Sequence, residues 1–414
     1  MFGQQNPSVF DQTIKSSFDE SLAKSALLVS NSSPELNTTL PISSSSSQLN
    51  NIPTLPNLFR GANPNPNPNP YLTSAAIVPD FNGNGKADKL WVNAETGEII
   101  VRLMDGTTVM EEASLGQFDL SSMTYEIADF DGDGKTDFLL RNQATGENRL
   151  VLMDGTRVAN TVALETVDSN WTAQIGDFNG DRKTDIFWHN AQTGQNAIWT
   201  MDGTTVIDAA VIETTEISHT PTVVDFDGNG KSDVFWRNAE TGENKVWFMD
   251  GTSKTEFSLQ SQAAGWDFTL GDFNGDLRSD LLWRNAETGE NKIWTMNGIF
   301  VTEATLATLD SSWTSQIADF NGDGKTDIFW RNQVTGENTA WLMDGTTVST
   351  EAFLPSNDAA LMPSFGDFNG DGRTDIYWRD QQTGVDRIWS MNGTTATESF
   401  VAEENRLGGE WFTA

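Results

Sequence analysis

Oxygen-bearing side chains recur in seven short, glycine-rich loops of this sequence. The sixth loop, DFNGDGKTD, places Asp319, Asn321, Asp323 and Asp327 at positions 1, 3, 5 and 9. Calcium is a hard cation that takes about six to eight oxygen ligands, and alternate positions on a tightly turning loop can direct several of them inward. The carbonyl of position 7 and water would complete the shell. The spacing therefore predicts Ca2+ sites, up to seven in number, one in each loop.

Every loop offers candidate ligands at positions 1, 3, 5, 7 and 9, with position 7 contributing through its main-chain carbonyl. Loop by loop, the candidates are Asp80, Asn82, Asn84, Lys86 and Asp88; Asp129, Asp131, Asp133, Lys135 and Asp137; Asp177, Asn179, Asp181, Lys183 and Asp185; Asp225, Asp227, Asn229, Lys231 and Asp233; Asp272, Asn274, Asp276, Arg278 and Asp280; Asp319, Asn321, Asp323, Lys325 and Asp327; Asp367, Asn369, Asp371, Arg373 and Asp375. Loop two carries four aspartates at these positions, whereas loop one carries two. Because ligand charge tunes calcium affinity, we expect loop two to bind more tightly than loop one.

Position 6 separates two further loops from the rest. It is glycine in five loops but Arg182 in loop three and Leu277 in loop five. If this position requires a positive φ, a side chain there costs about 1–2 kcal/mol. Arg182 also places a positive charge beside the metal, which disfavours binding. Loops one, three and five are therefore the weakest predicted sites.

Two alternatives compete with a calcium loop. A metal-free turn explains one or two acidic residues, but crowding two to four aspartates into each of seven loops without a cation would be strongly repulsive. An EF-hand requires a bidentate glutamate at position 12, where the sixth loop has Trp330, and the flanking segments have the pattern of strands. The calcium loop is therefore favoured.

The loops mark an internal repeat that covers residues 71–414. Its Asp-Phe marker recurs at steps of 47 to 49 residues, and the unit that starts at Trp171 contains four short strands separated by turn signals. Such units bury their faces by stacking radially around an axis. The repeat predicts an all-β fold, a seven-bladed β-propeller of four-stranded blades. A β-solenoid is the alternative, but its repeats are usually shorter.

The fifteen tryptophans fall at only three positions of the repeat. Six lie eleven residues after a marker aspartate, five lie twenty-two residues after it, and the others precede a marker by six residues or, like Trp411, occupy the matching place at the C-terminus. A ring of indoles could stack sugars, but mid-strand positions favour packing between blades. Trp411 further predicts that the C-terminal segment closes the ring beside residues 71–78.

Composition excludes several classes of function. Of the 414 residues, 25 are lysine or arginine and 59 are aspartate or glutamate, which gives a net charge of −34 and disfavours nucleic acid and anionic membranes as partners. The absence of cysteine excludes disulfides, thiol catalysis and thiolate metal sites. The sequence has neither a signal-peptide pattern at its start nor an apolar run of membrane-span length.

The first seventy residues have a different composition from the repeats. Residues 1–62 form a low-complexity tail that is predicted to be mostly disordered, and residues 63–70 form an Asn-Pro spacer. Within the tail, apolar residues recur every four positions from Phe10 to Leu22, which predicts an amphipathic helix at 9–28. An isolated helix of this size is marginal in water, so a docking partner for its apolar stripe is expected.

The repeat units resemble a known family. DFNGDGKTDIFWRN (319–332) and GDFNGDGRTDIYWRD (366–380) are similar to FG-GAP repeats of the VCBS type, and related repeats build the integrin α-subunit propeller. The resemblance implies seven blades with calcium in the loop between the first and second strands. It also implies adhesion, recognition or scaffold roles, which include some lectins, whereas a minority of related propellers are polysaccharide lyases.

Three functions are compatible with these observations. The first is a non-enzymatic recognition or adhesion module for a glycan or protein ligand, which would use the loop face opposite the calcium sites. The turns there carry arginines such as Arg331 and glutamates such as Glu337, which are predicted to form exposed local salt bridges. The second is a structural component of a larger assembly that docks through its N-terminal tail. The third and least favoured is a polysaccharide lyase.

Catalysis and location are predicted less directly. The sequence has only two histidines, His189 and His219, and both occupy repeat positions that suggest packing, so no convergent acid–base set is visible. Loops of this type without EF-hand closure suit the weaker calcium ranges found outside cells. An extracellular or cell-surface location is therefore expected, although no signal peptide supports it.

Overall fold

Seven four-stranded antiparallel sheets make up the part of the chain that this computed structural model describes, residues 78–413. Each sheet is one blade, so the predicted all-β, seven-bladed propeller is confirmed. The N-terminal tail, its helix and the Asn-Pro spacer lie outside the described residues. Between residues 78 and 413 the single helical segment is a short 3-10 helix at Glu403–Asn405, and no helix there is long and apolar enough to cross a membrane.

The blades share one strand order, which runs from first to fourth strand across each sheet. From blade one to blade seven, the first strands are β28 (Trp411–Thr413), β4 (Met123–Ala128), β8 (Trp171–Gly176), β12 (Thr220–Val224), β16 (Trp266–Gly271), β20 (Trp313–Ala318) and β24 (Met362–Gly366). The second strands are β1 (Lys89–Asn93), β5 (Asp137–Asn142), β9 (Asp185–Asn190), β13 (Asp233–Arg237), β17 (Asp280–Asn285), β21 (Asp327–Asn332) and β25 (Asp375–Arg379). The third strands are β2 (Glu98–Asp105), β6 (Asn148–Asp154), β10 (Asn196–Asp202), β14 (Asn244–Asp250), β18 (Asn291–Asn297), β22 (Asn338–Asp344) and β26 (Asp386–Asn392). The fourth strands are β3 (Thr108–Gln117), β7 (Arg157–Leu164), β11 (Thr205–Ile212), β15 (Ser253–Leu259), β19 (Phe300–Leu306), β23 (Thr347–Leu354) and β27 (Thr395–Phe400).

Burial differs systematically across a blade. The second strands are buried along nearly their whole length because both of their faces pack against neighbouring blades; β9 and β21 are buried at every residue. The fourth strands are mostly exposed, with at most alternate residues partly buried, as expected of edge strands. The core is therefore a set of layers between blades rather than one central cluster.

The tryptophans pack within these layers, as predicted. In the five blades that have both, the indoles eleven and twenty-two residues after the marker meet inside one blade; the ring centres lie 5.1 Å apart, edge to face, for Trp188 and Trp199 and 4.9 Å apart for Trp236 and Trp247. All four of these rings are buried. Edge-to-face pairs at this spacing add stabilisation beyond area burial.

The C-terminus closes the ring, which confirms the interpretation of Trp411. Strand β28 pairs antiparallel with β1, and Trp411 lies opposite Asn93. Farther along the same edge, Pro79 O accepts a hydrogen bond from Asp88 N at 2.6 Å. Blade one therefore contains segments from both ends of the repeat region, β28 from its C-terminal end and the segment at Pro79 from its N-terminal end. Contact with residues 71–77 lies outside the described part of the chain.

Candidate metal loops and the contacts that position them

In blades two to seven the predicted loop joins the first and second strands, and loop one leads into β1 of blade one. Loop two, Asp129–Asp137, connects β4 to β5, and loop six, Asp319–Asp327, connects β20 to β21. The turns between third and fourth strands lie at the same end of the propeller, because strands alternate in direction. The turns between second and third strands lie at the opposite end.

Position 1 organises the turn. In loop six, Asp319 Oδ1 accepts a hydrogen bond from Gly322 N at 2.7 Å, and Asp319 Oδ2 accepts one from Gly324 N at 2.9 Å. The same contacts recur in other loops, for example from Gly132 and Gly134 to Asp129. Successive backbone N–H groups that point at one carboxylate form an anionic anchor at the centre of the loop.

Positions 3 and 5 are oriented by the backbone two residues further on. Asn321 Oδ1 accepts from Asp323 N at 2.8 Å, and Asp323 Oδ1 accepts from Lys325 N at 2.9 Å. These Asx turns hold the oxygens on the concave side of a short segment without using all of their lone pairs. The loop is therefore ordered by its own side chains.

Position 9 is the most buried part of the loop. Asp327 is fully buried; its Oδ2 accepts from Phe320 N at 3.0 Å, and its Oδ1 accepts from Met343 N at 2.8 Å on the third strand. A methionine N–H at the equivalent place binds the position 9 carboxylate in every blade: Met104, Met153, Met201, Met249, Met296, Met343 and Met391. This aspartate thus ties the loop to the third strand, a role that sequence reasoning missed.

The burial of position 9 has an electrostatic cost. Desolvation raises the pKa of Asp327 to about 8 and that of Asp233 to about 9. Both oxygens of each carboxylate nevertheless accept N–H hydrogen bonds, an arrangement that matches the ionised form. A buried, ionised carboxylate of this kind calls for a compensating positive charge.

The structure brings positions 1, 3 and 9 together in two loops. One carboxylate oxygen from each of Asp129, Asp131 and Asp137 lies within 4.8 Å of the other two, and loop four has an equivalent group. The loop four group consists of Asp225, Asp227 and Asp233. These are the two loops with aspartate at position 3; the others have asparagine, which supplies an amide oxygen. The predicted contribution of position 5, which is Asp133 in loop two and Asn229 in loop four, stays a prediction.

Comparison with known proteins assigns the repeat. The model of the FG-GAP-like repeat matches the sequence six times, at residues 80–140, 129–188, 177–236, 225–283, 272–330 and 319–378. The chain belongs to the FG-GAP-like repeat family. A search of curated protein sequences returns no match.

Solved structures share the fold of this FG-GAP-like repeat protein at low sequence identity. An Agrocybe aegerita lectin, described as recognising non-reducing terminal N-acetylglucosamine, is 12% identical, with a TM-score of 0.65 over 83% of this chain and 97% of the lectin. A post-proline cleaving enzyme from Rickettsia typhi is 9% identical, with a TM-score of 0.53 over 81% of this chain and 54% of the enzyme. At these identities the likeness shows the fold alone.

Position 7 distinguishes two kinds of FG-GAP-like blade. Five blades have lysine there and Met-Asp-Gly at the turn between third and fourth strands. In each, the lysine Nζ pairs with the aspartate of that turn: Lys86 with Asp105, Lys135 with Asp154, Lys183 with Asp202, Lys231 with Asp250 and Lys325 with Asp344. Blades five and seven have Met-Asn-Gly, and there Arg278 and Arg373 pair with position 5 of their own loops, at 2.7 Å and 2.9 Å. These arginines reduce the negative charge of loops five and seven.

Position 6 has the positive φ that was expected. Arg182 has φ 68° and Leu277 has φ 67°, close to the 80° of Gly324 in loop six. The backbone N–H of Leu277 still donates to Asp272 Oδ2, at 2.8 Å. The predicted local strain of loops three and five is therefore present, but it does not change the path of the loop.

Position 8 links each loop to the loop of the preceding blade. Thr326 N donates to Asp272 O at 2.7 Å, and Thr326 Oγ1 accepts from Asp272 N at 2.9 Å. The backbone half of this contact is found at the interface between blades seven and one, from Ala87 N to Asp367 O, but alanine has no hydroxyl. Between loops two and three the Thr184 hydroxyl donates to Asp129 O at 2.7 Å, so the seven loops form one hydrogen-bonded ring.

Four of the five arginines at the opposite end are buried and Arg284 is partly buried, so the prediction of exposed Arg–Glu salt bridges is wrong. Arg331 donates to Asn338 Oδ1 at 2.8 Å and to the carbonyls of Asp358 and Leu361 in the connection to the next blade. Its guanidinium carbon lies 4.8 Å from the ring centre of Trp378 in that blade. The carbonyl partners in the connection to the next blade lie 25 to 30 residues away in sequence, which is why local spacing suggested the nearby glutamates instead.

Proposed function

We propose that this FG-GAP-like propeller is a non-enzymatic, calcium-binding recognition module. The observation that carries the metal half of the proposal is the convergence of three carboxylates at positions 1, 3 and 9 of loops two and four. The recognition half rests on the family and on the lectin that shares the fold. Glycan and protein remain the two candidate ligand classes.

The donor set suits calcium better than softer metals. Each loop offers carboxylate and amide oxygens, and the chain has no cysteine and only two histidines, both buried and neither at a loop position. Hard oxygen donors in a flexible arrangement favour Ca2+, whereas Zn2+ prefers nitrogen and sulfur. In each loop, positions 1, 3 and 9 would hold the ion.

A bound ion would act on the structure rather than on a substrate. It would neutralise the buried position 9 carboxylate, which joins the loop to the third strand, and the position 1 carboxylate, whose backbone joins the loop to the neighbouring blade. The expected effect is a stiffer propeller end, with stability that rises with calcium by mass action. Ligand recognition would then use the opposite end or the rim.

Calorimetric titration with calcium tests the metal half. Asp131→Asn in loop two and Asp227→Asn in loop four each convert the cluster to the donor set of the other loops, so we expect each to weaken its site by about tenfold. Asp208→Asn, on the exposed surface of β11, is the matched control and should leave the titration unchanged. If neither loop variant alters the calcium isotherm, positions 1, 3 and 9 do not bind the ion.

A glycan array and a protein pull-down, each with calcium and with chelator, test the recognition half. We expect binding of a glycan or a protein that is present in calcium and lost or weakened in chelator. The two halves of the proposal can fail separately. Calcium binding without any glycan or protein binding would contradict only the recognition half, and the protein would then be a metal-stabilised structural protein. Recognition of this kind fits an extracellular or cell-surface location, which is part of the proposal.

The non-enzymatic assignment is supported by the state of the acid–base candidates. His189 and His219 are buried, and His189 is engaged with Asn196 at 2.7 Å. The Tyr377 ring is buried, and the Tyr125 hydroxyl is inaccessible. A lyase needs such a group within reach of its substrate. Release of unsaturated products from acidic polysaccharides would overturn the assignment. The docking role of the N-terminal tail remains a prediction, because those residues lie outside the described part.

A further inference from the structure

The interface between blades seven and one differs chemically from the other interfaces of the ring. Five residues define a closure cluster there: Lys89, Arg102, Tyr377, Arg379 and Asp386. All five are buried. At the other interfaces the equivalent layer is built mainly from apolar and aromatic side chains together with one arginine or histidine and one asparagine.

Three members of the cluster depart from the residue type of their repeat position. Lys89 stands where the other six blades have phenylalanine, isoleucine, valine or leucine, and Arg102 stands where five blades have tryptophan. Asp386 stands where blades two to six have asparagine. Two of the departures are on blade one and the third is on blade seven, so the unusual chemistry meets at the place where the chain ends are joined.

Contacts within blade seven and contacts across the interface hold the cluster together. Arg379 Nη1 binds both oxygens of Asp386, at 3.0 Å and 3.1 Å, with both side chains fully buried. The Tyr377 hydroxyl donates to the same carboxylate. Lys89 of blade one hydrogen-bonds to Ser364 of blade seven, and its Nζ lies 4.2 Å from the centre of the Tyr377 ring.

The cluster also holds the C-terminal segment. Arg379 Nη2 donates to Leu407 O at 3.0 Å and to Gly408 O at 2.6 Å, just before β28. The same guanidinium stacks on Trp91 of blade one, with its carbon 4.7 Å from the ring centre, and Arg102 approaches that ring at 5.7 Å. One buried network therefore connects blade seven, blade one and the strand that closes the ring.

We infer that the closure cluster is a selectivity device that makes blade one pair with blade seven and with no other blade. Blades two to seven repeat nearly the same packing layer, so alternative closures are a hazard: blade one could dock on blade six, or on a blade of a second copy of the chain. At blade six, Lys89 and Arg102 would face Phe329 and Asn338 in place of Tyr377 and Asp386. Arg102 would keep its pair with Glu112 of its own blade, but Lys89 would lose Ser364 and the Tyr377 ring and would be buried without a compensating partner, so the wrong pairing is disfavoured.

The test replaces the cluster with the residues of the other blades. The variant Lys89→Ile, Arg102→Trp, Asp386→Asn gives the closing interface the chemistry of its neighbours. On dilution from urea over a range of protein concentrations, wild type is expected to return to monomer, whereas the variant should give a several-fold larger fraction of oligomers and misclosed species. Size-exclusion chromatography with light scattering measures that fraction.

Two further variants keep the result interpretable. The double variant Lys89→Ile, Arg102→Trp leaves the buried Arg379–Asp386 pair in place and should show the same change in direction, even if the triple variant does not fold. Leu281→Val with Trp294→Phe weakens the interface between blades four and five without altering its chemistry, and should refold to monomer. Refolding of a folded cluster variant to monomer with wild-type yield at every concentration would overturn the inference.

Discussion

Leu277 holds a backbone conformation that its side chain disfavours. Its φ is 67°, and the side chain is about half exposed, so little packing offsets the strain. Leu277→Gly should raise the free energy of unfolding by about 0.5–1 kcal/mol, because relief of about 1–2 kcal/mol of strain exceeds the entropy that glycine loses. Urea denaturation with and without calcium measures the change.

Leu277→Ala is the control for this substitution, because alanine keeps the Cβ that causes the strain while removing the rest of the side chain. We expect it to stay near wild type. Equal stabilisation by alanine and glycine would mean that the exposed side chain, and not the backbone conformation, is the source of the effect.

At the scale of residues, the sequence predicted which loop oxygens lie at alternate positions, but not every contact that they make. Positions 1, 3 and 9 converge where position 3 is aspartate, as alternate spacing suggested. The second task of position 9 could not be seen, because Met343 is sixteen residues away on another strand. The pairing of lysine with Met-Asp-Gly and of arginine with Met-Asn-Gly was visible in the repeats, and comparing the blades column by column would have found it.

Among the position 8 contacts between blades, the one made by Ala87 differs from the others because alanine has no hydroxyl. Ala87 stands where Thr326 and the equivalent residues of the other blades carry a hydroxyl. A Cβ at Gly366 would lie 2.6 Å from Ala87 Cβ, and one at Gly271 would lie 3.1 Å from Thr326 Cβ, so position 8 faces the glycine of the preceding blade at both interfaces. Ala87→Thr should therefore add a hydrogen bond to Asp367 N and raise the free energy of unfolding by about 1 kcal/mol.

Ala87→Val separates the hydroxyl from the added volume. Valine has nearly the shape of threonine but accepts no hydrogen bond, so it should give a smaller gain or a loss, as judged by thermal unfolding. A valine variant at least as stable as the threonine variant would contradict the proposed contact.

The buried arginines make a second prediction about how blades are joined. Arg331→Lys keeps the charge but loses the planar fork that reaches Asn338 and two carbonyls while stacking on Trp378. We expect the free energy of unfolding to fall by about 2 kcal/mol or more, since buried carbonyls lose charged donors. Arg149→Lys, on the exposed side of β6, should change it by less than about 0.5 kcal/mol.

At the scale of elements, regular spacing made the fold predictable. Repeat steps, strand patterns and tryptophan positions pointed to seven four-stranded blades and to closure by Trp411, and the sheets have that order. The arginine contacts were mispredicted because they depend on which blade lies next to which. One clue was available: each arginine lies one residue after the tryptophan position of its own strand and meets the tryptophan of the following blade.

The whole molecule must remain folded despite a large excess of negative charge. The chain carries a net charge of −34, and every blade adds further aspartates to the same end of the propeller. Self-repulsion of this size destabilises a compact state, and salt screens it. Up to seven divalent ions would cancel a large part of the charge where it is densest. The seven loops also form one hydrogen-bonded ring, so we expect an ion bound in one loop to stabilise the neighbouring loops through the position 8 contacts.

This charge distribution predicts how salt and calcium act together on stability. In chelator, raising the sodium chloride concentration from low to physiological should increase the melting temperature, because screening weakens the repulsion between loops. In saturating calcium the same increase in salt should have a smaller effect, since the ions have already neutralised the loops. Differential scanning calorimetry at matched pH measures both slopes.

The Asp131→Asn, Asp227→Asn double variant is the internal comparison: with two fewer negative charges, its melting temperature in chelator should depend less on salt. Equal salt slopes with and without calcium would show that the loop carboxylates are not where the ions bind.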